Sequence, residues 1–186
     1  MNKRSDDYGG ELSNRLRFAC EIISSIKEHT GKNFILGYRM GGNEPGLKEG
    51  QEIAEELERH GVDLLHVSTG ISSGELPKAP VEFPCNWIVY CGTQIKKVVS
   101  IPVIVVNEIR FPEQATFLLD NNLADFTAIG RSLLVDPEWV NKARNKVDAN
   151  PCLQCSRCRW FIDSSRCPGI KKQEAFEDVI IKHSTK

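Results

Sequence analysis

No run of apolar residues in this chain approaches the length needed to cross a membrane, and no apolar segment follows the charged first residues as a secretory leader would require. An excess of charge of either sign is also missing. Lys and Arg number 24 against 25 Asp and Glu, a formal net charge of −1. Nucleic acid and membranes are therefore not expected partners, and a cytoplasmic location is the expectation. The opening stretch, Asn2 to Gly10, lacks the apolar run that would begin a core; it is polar and turn-rich. The 186 residues are nonetheless enough for a domain with a real hydrophobic interior.

An even distribution of cysteines is absent as well. Of the seven, Cys20, Cys85 and Cys91 are scattered, and the other four crowd between Cys152 and Cys167. In a chain without an export signal, that crowding argues for metal or cluster ligation in a reducing compartment rather than for disulfides.

What is present is a repeating alternation of helix and strand. Leu16, Ala19, Cys20, Ile23 and Ile26 recur at helical spacing, so a helix is expected over about 13–29. Phe34 to Tyr38 reads as a buried strand ending at Arg39, followed by a loop with three glycines and Pro45. A second helix carries Glu49, Ile53, Ala54, Leu57 and Arg59, and Val62 to Val67 is the next strand. Ser68 to Pro84 is a long loop of the kind that is usually functional. Helix 87–99, strand 101–106, helix 112–119, strand 124–129 and helix 132–146 complete the series, with a further short amphipathic helix at 173–181.

Short apolar strands alternating with helices define the α/β class and a parallel sheet covered by helices. A doubly wound sheet and a (β/α) barrel both satisfy the pattern. Four strands cannot close a barrel, which needs eight and about twice this length. In either fold, functional residues cluster in the loops that follow strands.

Several residues stand at such positions. Arg39 faces either the ligand mouth or plain solvent. His66 either bonds a ligand or, as the favoured reading, is a structural histidine hydrogen-bonded at the end of its strand. Asn107 and Glu108 close another strand, where Asn107 serves an anion site or simply a turn. In 123–134 a strand leads to Gly130 and then to Arg131 at the start of a helix that Asp136–Pro137–Glu138–Trp139 prolongs. Glycine permits close backbone approach, unpaired helix-start amides favour an anion, and Arg131 adds a fork suited to phosphate. The alternative is an ordinary β-to-α turn. Cys152, Cys155, Cys158 and Cys167 give C-x2-C-x2-C-x8-C, a spacing suited to an iron–sulfur cluster or to one zinc, the alternative being free cysteines in a flexible tail. Arg157, Arg159 and Arg166 would offset thiolate charge.

Taken together, these motifs resemble the old yellow enzyme family of NADH:flavin oxidoreductases. Asn2, Arg4, Asp6, Tyr8–Gly9–Gly10, Asn14–Arg15 and Arg17–Phe18 are similar to the family segment after its fourth barrel strand. Gly61–Ser68 is similar to the sixth strand, Ile101–Ile104 to the seventh and Ala124–Leu134 to the eighth. The resemblance implies the C-terminal half of a (β/α)8 TIM barrel, strands five to eight, over residues 1–149, with a cysteine-rich C-terminal tail over 150–186. It implies FMN as cofactor, with Arg39 at the flavin ring and Gly130 and Arg131 at the phosphate. Asn107 stands where the family usually has glycine after strand seven. NAD(P)H would be the reductant and an activated alkene or enoyl carbonyl compound the small-molecule substrate. The cysteines resemble those of larger members related to 2,4-dienoyl-CoA reductase and trimethylamine dehydrogenase, which hold a [4Fe-4S] cluster; the spacing here is shorter. No catalytic acid is expected in this half. The alternative is a non-catalytic remnant or metal-binding module whose only working site is the cysteine tail.

Half a barrel would expose apolar inner faces and two sheet edges. The chain is thus expected to aggregate alone and to need an N-terminal barrel half, from the same gene or a split partner. Gel filtration of the isolated product checks this, and a compact monomer with a cooperative melt would refute it.

Overall fold

A computed structural model describes residues 2–70 and 75–171. The expected helix at 173–181 lies outside the described residues. The chain divides into two units, Met1–Asn107 with Phe117–Ala128, and Glu108–Thr116 with Ile129–Lys186.

The first unit holds a four-stranded parallel sheet of β1 (Gly37–Gly41), β2 (Leu64–Ser68), β3 (Val103–Val106) and β4 (Phe126–Ala128). Its order, β1-β2-β3-β4, follows the chain with no reversal. A doubly wound sheet reverses at a switch point, so these strands have the singly wound order of a barrel wall. Helices α1 (Leu12–His29), α2 (Leu47–Arg59) and α3 (Trp87–Lys96) belong to the same unit, and α4 (Pro112–Asp120) is divided between the two.

The sheet has one dry face. Leu65, Val67, Val103 and Val105 are fully buried, and Met40 nearly so. Val89, Cys91 and Ile95 of α3 are fully buried as well, as are Ala54 and Leu57 of α2. Gly92 lets α3 come close, since a Cβ there would stand 2.5 Å from Cγ1 of Val105. Asn86 caps the same helix by accepting from the amides of Ile88 and Val89, both at 3.1 Å. The strands, expected to be apolar and buried on both faces, are buried on only one. Register sets Arg39 beside His66, His66 beside Ile104 and Ile104 beside Phe126. Paired residues share a face, and on this one Arg39 is exposed, His66 and Ile104 are half-buried and Phe126 is 54% exposed.

Carboxylates staple the strand entrances. Asp63 accepts from the Leu36 amide at 2.8 Å and from Nζ of Lys27 at 2.6 Å. Asp125 accepts from the Val103 amide at 2.7 Å and pairs with Lys96 at 2.8 Å. These contacts fix the N-terminal rim and leave the opposite rim for ligand chemistry.

Two expectations need correction. β1 begins three residues later than its apolar run, which leaves Phe34 and Ile35 exposed and puts Arg39 inside the strand instead of at its end. Backbone pairing with β2, extended by the Gly42 amide donating to the Ser68 carbonyl at 2.7 Å, outweighs local hydrophobicity. The last expected helix is broken. In the second unit α5 spans Arg131–Val135 and α6 spans Trp139–Arg144, separated at Asp136 and Pro137. A residue before proline is driven from the helical region, and Asp136 is extended at φ −135°, ψ 94°.

The Asp136 side chain, 1% exposed, organises that break. It accepts from Nζ of Lys142 at 2.8 Å and from the amides of Asn150 at 2.9 Å and Glu138 at 3.1 Å. Burial pushes its pKa up, but these donors together outweigh burial and hold it below the ordinary aspartate value. A depressed carboxyl pKa adds stability above about pH 4, and that stability is lost as pH falls through the still lower folded-state value. Asp136→Ala should destabilise the second unit by about 3 kcal/mol in urea melts. Asp136→Asn should flatten the dependence of stability on pH below about pH 4.

Candidate functional site

Asn107, Gly130 and Arg131 lie where a strand gives way to a loop or helix, and Arg39 lies inside β1. In the first unit, β1 and β2 bring Arg39, His66 and Ser68 together. Nη1 of Arg39 lies 3.4 Å from Nδ1 of His66, and Nη2 donates to Oγ of Ser68 at 3.3 Å. A guanidinium only donates, so Nδ1 is the acceptor and the imidazole proton sits on Nε2. That Nε2–H is buried and has no hydrogen-bond partner among the described residues. Burial, and secondarily the Arg39 charge, lowers the His66 pKa. His66 is therefore neutral at neutral pH, with an unused donor.

The geometry leaves room for both readings of His66: Nδ1 is hydrogen-bonded by Arg39 at its strand, and Nε2 has no partner among the described residues. Alternation along a strand put His66 on some face; only the register with Arg39 made it part of a site.

Asn107 adopts φ 120°, a left-handed conformation that favours glycine. Its side chain turns to α3, where Oδ1 accepts from Nδ2 of Asn86 at 2.7 Å. The side-chain oxygen is thus committed to a structural contact. Asn86 escaped notice in the sequence, although an asparagine just ahead of Trp87 and an apolar helical run is a cap signal.

In the second unit Gly130 is exposed, and a Cβ there would meet nothing within 4 Å. It precedes α5 without a side-chain cap. With only five residues, α5 has a small dipole, so an anion at this turn relies on Arg131 more than on the helix. Nη2 of Arg131 lies 3.6 Å from Oε1 of Glu108.

The cysteines share the second unit. Arg110 anchors the start of their segment, with Nε donating to the Cys152 carbonyl at 2.6 Å and Nη1 to Oε1 of Gln154 at 3.0 Å. Trp139, 3% exposed, donates through Nε1 to the Arg110 carbonyl at 2.9 Å. Cys155 is exposed and Cys167 buried, while Cys152 and Cys158 are half-buried. Among the described residues no three Cys, His, Asp or Glu side chains gather into a group that could hold a metal ion. Cys152, Cys155, Cys158 and Cys167 are thus not a ligand set as they stand. A cavity of about 650 Å³ is lined by Cys155, Arg157, Arg159 and Arg166.

The sequence of the barrel-wall portion decides the family. Residues 1–150 match the model of the NADH:flavin oxidoreductase / NADH oxidase family. The chain belongs to that family. An NADH oxidase from Thermoanaerobacter brockii is 43% identical over 165 residues, covering 83% of this chain and 25% of its own length. A cinnamate reductase from Clostridium sporogenes is 34% identical over 177 residues, covering 83% and 27%. The chain spans about a quarter of the length of these relatives. Among solved structures, 6-hydroxypseudooxynicotine amine oxidase from Pseudomonas geniculata N1 matches with a TM-score of 0.70 at 27% identity, over 89% of this chain and 26% of that one.

Taken unit by unit, the first offers a buried Nε2–H, unpaired among the described residues, beside a cation, which suits the acceptors of a flavin ring, and the second offers an open glycine beside a half-exposed arginine, which suits a phosphate. No helix of the described residues is long and apolar enough to cross a membrane.

By NMR, His66 should titrate below the ordinary histidine value of about 6.5. Arg39→Met should raise that pKa yet leave it below the ordinary value, because burial is the larger cause.

Proposed function

We propose that this chain supplies strands five to eight of a (β/α)8 barrel in an FMN-dependent NAD(P)H oxidoreductase that reduces activated alkenes or enoyl carbonyl compounds. The observation that carries it is the Arg39–His66–Ser68 group on the sheet face that helices do not cover. The half-exposed row through Ile104 and Phe126 supports an N-terminal barrel half as the partner that would cover this face. The strand order without closure supports it too.

FMN, when bound, supplies the hydride chemistry. Arg39, oriented by His66 and Ser68, places a positive charge where negative charge on the flavin ring is stabilised. His66 Nε2–H offers a donor to a ring acceptor and carries no charge of its own at neutral pH. Gly130 leaves room for phosphate oxygens and Arg131 binds them through its fork. Asn107 takes no direct part, since its side chain is held by Asn86.

A second reading rests on the arginine-lined cavity at Cys155. Its positive lining suits the negative charge of a thiolate-bound metal or [4Fe-4S] cluster. Among the described residues the four thiols form no group that could hold a metal ion.

Purified with a polypeptide carrying strands one to four, the chain is expected to retain FMN, with visible bands bleached by NADH. Arg131→Gln should weaken FMN binding about tenfold and leave riboflavin binding unchanged. A colourless complex that contains zinc but no flavin would replace this function with the metal-binding module.

A further inference from the structure

The loop after β3 carries a feature that the phosphate reading of Arg131 does not use. Asn107 and Glu108 have φ of 120° and 54°, two consecutive left-handed residues. Side chains rarely adopt this conformation, so something must hold the backbone there. For Asn107 it is the 2.7 Å hydrogen bond from Asn86, the cap of α3. Glu108 then directs its carboxylate to Arg131, with Oε1 3.6 Å from Nη2. The two side chains are 41% and 42% exposed.

The guanidinium assigned to a phosphate therefore faces an internal carboxylate. Carboxylate and phosphate use the same forked N–H donors, so they compete for Arg131. A phosphate monoester would also bring its charge close to that of Glu108, and like charges repel. The pair is too exposed to be strong. It weakens the site without closing it.

We propose that Glu108 is a specificity-determining residue, an internal anion that competes for Arg131 and sets how strongly this chain prefers a flavin bearing phosphate over one without. This rests on the reading of Arg131 as the phosphate residue. Riboflavin, which lacks the phosphate, separates the two ideas.

Titrations of FMN and riboflavin into the complex of this chain with a polypeptide carrying strands one to four test it, with Glu108→Gln, Arg131→Gln and the double variant alongside. Glu108→Gln is expected to bind FMN about fivefold tighter with riboflavin unchanged, and the double variant should show no such gain. If Arg131→Gln weakens FMN alone but Glu108→Gln leaves the FMN-to-riboflavin ratio unaltered, the inference fails and the phosphate reading stands. If Arg131→Gln leaves FMN and riboflavin equally bound as in the parent chain, the phosphate reading fails and takes the inference with it. Loss of both flavins together with a lower melting temperature in Glu108→Gln would make Glu108 structural and overturn the proposal. Where flavin binding is too weak to measure, inorganic phosphate is titrated and followed at the Gly130 amide by NMR. Tighter phosphate in Glu108→Gln supports the proposal; equal or absent response in both chains refutes it.

Discussion

Burial of a single face of the parallel sheet is the constraint on which the first unit depends. Leu65, Val67, Val103 and Val105 are fully buried, in alternation with residues of the other face. Because strand side chains alternate with a period of two, sealing that set under helices commits His66 and Ile104 to the opposite side. Parallel pairing then sets Arg39 beside His66. The site pair is thus a consequence of where the apolar residues must go. Gly92 and the Asn86 cap serve the same end, since they let α3 sit close over β3 and β2.

Charge is distributed in a way that follows from this packing. At the strand entrances, Asp63 and Asp125 accept backbone amides and pair with lysines from helices. They hold structure and have little left to offer a ligand. Among the described residues Arg39, by contrast, has only long contacts, to a neutral imidazole and a hydroxyl. Arg131 faces one carboxylate at 3.6 Å. Cations with weak internal partners retain capacity for an external anion, and a family that handles flavin and nicotinamide nucleotides has use for such capacity.

In the second unit the organising group is Asp136. Pro137 has no amide to donate and forces its predecessor out of the helical region. The buried carboxylate turns that interruption into a junction, tying α6 through Lys142 and the following segment through the Asn150 amide. Arg110 does the corresponding work for the cysteines, holding the Cys152 carbonyl while Trp139 holds its own. This network shapes the segment around protein contacts, and the thiols follow the backbone instead of converging.

The α/β class, the order of elements and the family were all determined by the sequence alone. Hydrophobic periodicity and spaced motifs are local properties, readable without contacts. Gly130 and Arg131 stand where the linear pattern put them, after a strand and at a helix start, whereas Arg39 lies inside β1 and not at its end. The helix break at Asp136 was available in principle from Pro137 but yielded to the stronger apolar pattern around it. The partners of the site residues belonged to the tertiary structure. That His66 offers Nε2 depends on a register between residues 27 apart. That Asn107 is held by Asn86 depends on a contact across 21 residues. That Arg131 meets Glu108 depends on how two loops are placed within one unit. A linear pattern records which donors and acceptors a chain carries, and only folding decides which of them satisfy each other and which remain for a ligand.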